Sequence, residues 1–320
     1  MHHGTLVSLS LLVLAGSVAA QGYPNKVVKL RVPFAPGGTT DIIARVISEP
    51  LGKALEPNVI VEHKGGGGGT VGANEATMAV PDGYSLGMGT VSTTAANPAI
   101  NPKTPYNPLT DFTPLINIAA SPDVISVHPS VSAKDDKAFV AELKKNPGKH
   151  SYASSGTGGI GRLQSELWKG LRGVFITHIP YAGAGPALRD TVGGQVEIIF
   201  DNVPSAMPHF KNNRLIPLAV AAPQRLAALP NVSTFEELGL ELVNRMAYYG
   251  ILSPKGLPKD MVDTINAATR KALQDPAVRK RIEDTGSVVL RNTPEQFAAQ
   301  MRGELAVYQK VVKTAKLKLV

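Results

Sequence analysis

Residues 29–51, KLRVPFAPGGTTDIIARVISEPL, read as a strand, a glycine turn and the start of a helix in immediate succession. The run VVKLRVPF before the turn is β-rich, and beyond it Ile43, Val46, Ile47 and Leu51 fall on one helical face within 41–55. Pro50 lacks the N–H that an inner helical turn needs, so this helix is expected to kink or to end near Glu49. A turn of this kind raises a chemical question. The first four N–H groups of a helix have no intrahelical partner and the helix dipole is positive there, so glycines that admit a ligand closely make an anion site without a cationic side chain.

Outward from this stretch the pattern recurs. NVIVEHK is a second strand, the five glycines 65–69 lead into a small-residue helix, and Asp82-Gly83 marks a turn before a third strand. This βαβαβ order is the build of a doubly wound parallel sheet. The middle of the chain repeats it: DVISVHP is strand-like, 134–145 is helical, and HSYASSGTGGIGRLQSELWKGL is again strand, glycine turn and helix. VFITHIPY, VEIIFDN and LIPLAVAA add strands, with a short helix over GAGPALRDTVGG. The last third reads as helical, with Thr293 and Gln296 forming a capping box around Pro294. Two α/β lobes followed by a helical return are expected.

Composition narrows the functions. The 320 residues are 43% hydrophobic, enough for two packed lobes, and the net charge of +8 comes from Lys and Arg that are scattered, not blocked or interleaved with aromatics. That pattern argues against nucleic acid and suits anionic small molecules. The absence of cysteine removes disulfides, thiolate metal sites, thiol nucleophiles and an acylated lipoprotein cysteine. LVSLSLLVLAGSVAAQG is an apolar run of about fifteen residues ending in small residues, shaped like a signal-peptide core with cleavage near Ala20. Its flank, MHHGT, carries no Lys or Arg. Export to the periplasm, free of the membrane after cleavage, is the expectation.

Two loops carry the chemistry. APGGTTD offers the hydroxyls of Thr39 and Thr40, and SSGTGG offers Ser154, Ser155 and Thr157 with Gly156 and Gly158. Two such turns from two lobes could hold one carboxylate between them; each alone also reads as an ordinary βα turn with an N-cap hydroxyl. No Lys follows the glycines, so neither is a P-loop. GTGGIG matches G-x-G-x-x-G, but the next strand region, VFITHIPYAG, lacks the acidic residue of a dinucleotide site. No G-x-S-x-G elbow frames Ser154 or Ser155, the seven histidines show no ligand spacing, and His178 and Trp168 read as packed residues. No catalytic residue, metal or cofactor is expected.

YPNKVVKLRVPFAPGGTTDIIARVISEPL, VIVEHKGGGGGTVGANEATMAVPDGYSL, YASSGTGGIGRLQSELWK, THIPYAGAGPALRDTVGGQVEIIFDN and LAALPNVSTFEELGL together resemble the substrate-binding proteins of tripartite tricarboxylate transporters, the Bug proteins, from Tyr23 to the C-terminus. The resemblance implies an α/β, type II periplasmic-binding-protein fold, two doubly wound lobes joined by crossing strands. Lobe one would comprise 21–121 and 224–320, and lobe two 122–223, after a signal peptide over 1–20. It implies a small organic acid held between the lobes and passed by a monomer to integral membrane transporter subunits. Carried over by position, ligand-binding residues are Pro36, Gly37, Gly38, Thr39, Thr40 and Asp41, facing Ser154, Ser155, Gly156 and Thr157. Thr90, Ser92, Thr93, Ala182, Gly183, Asp201 and Asn202 complete the set. EHKGGGGG departs from the family's usual sequence, at a turn away from the expected ligand. Asp201 ends an apolar strand, where it either selects an ammonium, hydroxyl or water on the ligand or caps the next turn. A hydrolase or transferase on the same turns, and a sensory module without transport, are the alternative functions.

Overall fold

The computed structural model describes residues 23–318, so the expected signal peptide lies outside the described residues. Strand β1 (Val28–Val32) leads into α1 (Thr39–Leu55), then β2 (Val59–His63), α2 (Thr70–Thr77) and β3 (Ser85–Thr90). β1 pairs in parallel with both β2 and β3. The predicted βαβαβ unit is therefore present. Helix α1 does not end at Glu49: it continues through Pro50 for more than a turn, with Leu51 and Leu55 buried. Its packing against the later helices α8 (Lys259–Ala272) and α9 (Pro276–Glu283) outweighs the one hydrogen bond that proline forfeits.

A short wide turn over Ser92–Ala96 and α3 (Asn97–Ile100) lead to β4 (Phe112–Ser121). Pro122 alone separates β4 from β5 (Asp123–Val127), yet the two belong to different sheets. The second sheet is built from α4 (Asp136–Lys145), β6 (Ser151–Ser154), α5 (Ile160–Arg172), β7 (Thr177–Pro180), α6 (Ala184–Val192), β8 (Ile198–Asn202), α7 (Val203–Lys211) and β9 (Ile216–Ala221). Its strand order is β7-β6-β8-β5-β9. The chain then returns to the first sheet as β10 (Ala247–Pro254), followed by α8, α9, β11 (Val288–Val289) and α10 (Pro294–Thr314). The first sheet runs β11-β4-β10-β3-β1-β2. The last third is thus less helical than its sequence suggests, because β10 runs antiparallel between β3 and β4.

The two crossings lie side by side. Ser121 pairs with Ala247 at the edge of one sheet, and Asp123 pairs with Ala221 at the edge of the other. Each lobe is packed on both faces of its sheet. In β8, Ile198 and Phe200 point to the cluster that contains Trp168 and Tyr152, while Ile199 points to a second cluster with Val203 and Leu188. Trp168 is fully buried against Phe139 and Phe200 and donates its indole N–H to Asp136 Oδ1 at 2.8 Å. The capping box on α10 is formed as expected, Thr293 and Gln296 exchanging bonds of 2.9 and 3.2 Å.

Candidate functional site

Four βα junctions aim at one place. Each of β1, β6, β7 and β8 ends at the same rim, and the helices that follow, α1, α5, α6 and α7, begin there. Their N-cap residues are Gly38, Gly159, Gly183 and Asn202, and none of them caps its helix with a side chain. Elsewhere Asp135 on α4, Asp275 on α9 and Thr293 on α10 each accept from the backbone of the first turn, while α2, α3 and α8 also start without a side-chain cap. The positive ends of these helix dipoles, those of α1, α5, α6 and α7, point at the space between the lobes. At α7, however, Val203 N–H is taken by the Pro122 carbonyl, Pro204 has no N–H and Ser205 N–H goes to Thr39 Oγ1, and at α5 Ile160 N–H goes to Ser92 Oγ.

That space is a cavity of about 30 Å³, room for roughly two waters, walled by Gly38, Thr39, Thr40, Asp41, Thr90, Ser92, Ser155 and Asn202 together with Phe34, Ala35, Val91, Ile160, Ala184, Ala247 and Tyr249. No Lys, Arg or His lines it. Asp41 is spoken for: its carboxylate accepts from Gly37 N–H at 3.0 Å and Arg45 Nε at 2.7 Å and meets His63 Nε2 at 2.7 Å. Burial works against ionisation there, but the Gly37, His63 and Arg45 contacts together hold the carboxyl below its usual range.

The lobes touch around this cavity. Thr39 Oγ1 lies 2.9 Å from Ser205 Oγ and accepts from Ser205 N–H at 3.2 Å. Ile160 N–H donates to Ser92 Oγ at 3.0 Å, and Ala35 N–H to the carbonyl of Ala182 at 3.2 Å. Between these bonds the seam is backbone against backbone. A Cβ on Gly185 would stand 2.0 Å from the Pro36 carbonyl oxygen, one on Gly68 2.6 Å from Gly159 N, and one on Gly183 2.7 Å from Ala35 N. The five-glycine run, expected to lie away from the ligand, forms part of this seam through Gly65 and Gly68.

The remaining predicted residues sit around the cavity without walling it. Pro36 and Gly37 line a separate groove on the seam's outer side. Gly156 packs on Gly68, Thr157 is exposed, and Ala182 and Gly183 abut Ala35 and Gly65. Thr93 folds back on the end of β3, its hydroxyl donating to the Thr90 carbonyl at 3.2 Å. Ser154 is buried, donates to the Gly156 carbonyl at 3.1 Å and lies 2.7 Å from His178 Nε2. Asp201 lies behind the wall and accepts from Ser205 Oγ at 2.6 Å; burial pushes its carboxyl up to about 6 against hydrogen bonds from Ser205 and the Asn202 backbone. Asp123 is buried beside it and raised well above the usual carboxylate range by that burial, helped by the Asp201 charge and opposed by hydrogen bonds from Gln164 and Asn202.

Tyr249 was missed in sequence. It is buried in the cavity wall beside Thr39, and burial first, then Asp123 and Asp201, keep it protonated far above the usual tyrosine range. Tyr249 reaches the site because β10 pairs with β3, placing it opposite Thr90. Nothing local to AYYGILSP announces that neighbour.

Two sheets joined by adjacent crossings, with uncapped helix starts meeting in the cleft between them, define a two-lobed anion-binding protein. Residues 43–317 match the family described as "Tripartite tricarboxylate transporter family receptor", and the chain belongs to that family. It is 30% identical over 307 residues to Protein BugT of Bordetella pertussis, a match covering 96% of this chain and 94% of the relative. A solved "periplasmic transporter" is 48% identical, covers 93% of this chain and all of its own, and superposes with a TM-score of 0.91. An adipate-bound protein of R. palustris (30% identical, 93% and 99% covered, TM-score 0.88) and malate-bound MatC of Rhodopseudomonas palustris (32% identical, 91% and 100% covered, TM-score 0.87) share the fold. The type II periplasmic-binding fold expected from the sequence is the fold observed. Among the described residues no helix is long and apolar enough to cross a membrane.

Proposed function

We propose that this chain is a periplasmic solute-binding protein that captures a small organic acid, with C4 to C6 dicarboxylates the first candidates, and delivers it to a tripartite tricarboxylate-type membrane transporter. The observation that carries the reading is the convergence of the positive N-terminal ends of α1, α5, α6 and α7 on one cavity with no cationic side chain in its wall. One ligand carboxylate takes the N–H groups at the starts of α1 and α5 with the hydroxyls of Thr39, Thr40, Ser92 and Ser155. Gly156, Thr157, Ala182 and Gly183 act by shaping the turns and the seam, and lobes divided at 121/122 and near 223 close over the ligand. The malate and adipate found in two relatives support the ligand class. A cavity of about 30 Å³ admits a multi-atom acid only when the walls part, so loading requires the lobes to open.

A second reading, hydrolysis, has one observation in its favour: the 2.7 Å contact of Ser154 Oγ with His178 Nε2. Three features oppose it. Ser154 is buried outside the cavity wall, its hydroxyl is shared between the His178 ring and the Gly156 carbonyl, and His178 is pushed down to about 4, chiefly by burial. A buried serine facing so weak a base is a poor nucleophile.

The test is a thermal-shift screen of the chain from Gln21 onward against mono-, di- and tricarboxylates, amino acids, aromatic acids and nucleotides. A ligand near a hundredfold its Kd should stabilise the fold by about 2.7 kcal/mol. A shift from an organic acid that is lost in Ser155→Ala supports capture; a shift from nucleotides alone overturns it. Ester and amide substrates incubated with the protein should show no turnover, and turnover abolished by Ser154→Ala would revive the hydrolase.

A further inference from the structure

On the outer side of the seam lies a second concavity, an open groove of about 510 Å³. One wall is Pro36 and Gly37, from the first lobe; the other carries Arg189 on α6 and His209 and Arg214 at the end of α7, from the second. Its floor is the seam itself, Gly185 against Pro36, with Ser205 beside it. No carboxylate lines it. Asp190 is turned to the Tyr181 hydroxyl at 2.8 Å, and Asp201 is buried behind Ser205. Among the described residues neither the Arg189 nor the Arg214 guanidinium is in an ion pair or hydrogen bond, whereas Arg45, Arg172 and Arg245 each hold a carboxylate at 2.5–2.7 Å. Three nitrogen bases on one recessed wall, unopposed, suit an anionic partner.

The groove is built from both lobes, so it is complete only when they meet. Opening carries Pro36 and Gly37 away with α1 and leaves Arg189, His209 and Arg214 behind with α6 and α7. It is also one hydroxyl away from the ligand: Thr39 walls the cavity, and its partner Ser205 walls the groove. The outer face therefore reports what happens inside.

We propose that this groove is the docking surface by which the closed form is recognised, and that its occupant is an acidic, Asp- or Glu-bearing segment of a protein partner. The groove is recessed and one-sided, which suits a protruding peptide loop better than a flat layer of lipid headgroups. It is too open to desolvate a single small anion. The partner's identity as a transport component rests on the function proposed above; the existence of an acid-reading, closure-dependent groove does not.

The experiment is a titration of the chain with a hexaglutamate peptide at low salt, followed by calorimetry and by the His209 ring signals in NMR. Wild type should bind, and the double charge reversal R189E/R214E should bind at least about tenfold more weakly while its response in the carboxylate screen is unchanged. If that variant fails to fold, R189Q/R214Q serves, with the same expectation. Gly185→Ala, which holds the seam apart, should weaken peptide binding as well. Peptide affinity unaltered by the arginine changes, or unaltered by Gly185→Ala, overturns the proposal. So does binding to phosphatidylglycerol vesicles or inorganic phosphate in the absence of any binding to hexaglutamate. Failure of every organic acid in the thermal screen beside an intact peptide result would sink the transport reading and leave the groove standing.

Discussion

Thr39 joins the lobes through one side chain: it walls the cavity beside Tyr249 of the crossing strand and meets Ser205 across the seam. Removing its hydroxyl deletes two bonds to Ser205 across the seam together with the proposed bond to the ligand, each worth about 1 kcal/mol. Thr39→Ala should therefore weaken acid binding by about tenfold or more in calorimetry and also lower unliganded stability. Asp201 gives a pH signature. Its folded pKa, about 6, exceeds the unfolded value of 3.8, so the folded protein holds the extra proton between these limits and stability falls as pH rises through them. The ionised form costs about 3 kcal/mol at neutral pH. The stability that Asp201→Asn gains over wild type should thus be largest near about pH 7 and shrink toward about pH 4.5, measured as paired denaturation curves. His178 titrates in the opposite sense, but its slope is common to both proteins and cancels in the difference. Thr39 and Ser155 could be found from sequence because a hydroxyl beside a glycine turn is a local pattern. Tyr249 could not, because only the antiparallel pairing of β10 with β3 brings it to Thr90.

At the level of elements, the glycine turns after β1 and β6 were legible because each sits between an apolar run and an amphipathic helix. β10 was not, since AYYGILSP is buried at every position and shows no alternation to tell a central strand from a buried helix. Pro50 misled for a related reason: its local penalty is real, and the burial of Leu51 and Leu55 that overrides it is tertiary. The seam yields the clearest test. Gly185 is in the first turn of α6, and the atoms its Cβ would strike, the Pro36 carbonyl and Gly37 Cα, belong to the other lobe. Alanine there keeps or raises the stability of α6 by up to about 1 kcal/mol, since alanine is the better helix former. Gly185→Ala should expand the molecule in small-angle scattering, lower acid affinity by at least about tenfold, and lower the unliganded melting temperature only modestly, since seam bonds are lost while α6 is not weakened. A variant that lost affinity only by unfolding would show reduced helical circular dichroism at the assay temperature.

Across the whole molecule, charge is distributed between two sites of opposite logic. The net charge is +8, yet under the proposed function the anion is held by dipoles and hydroxyls inside the closed lobes, where salt screens poorly. The groove presents bare guanidinium groups to solvent. Raising NaCl from about 0.05 to about 0.5 M should leave acid affinity within roughly threefold while abolishing most hexaglutamate binding, a contrast visible in one calorimetric series. The largely backbone seam has a consequence for how such a protein diversifies. Much of the seam is glycine Cα and carbonyl contact, while Thr39 and Ser92 of the cavity wall also bond across it through their hydroxyls, so the rest of the pocket's chemistry and the mechanics of the clamp are separately heritable. Positions such as Phe34, Val91, Ile160 and Asn202 can be exchanged to fit a new acid while the hinge and latch are inherited intact, which makes this wall, and not the seam, the place to begin re-engineering its appetite.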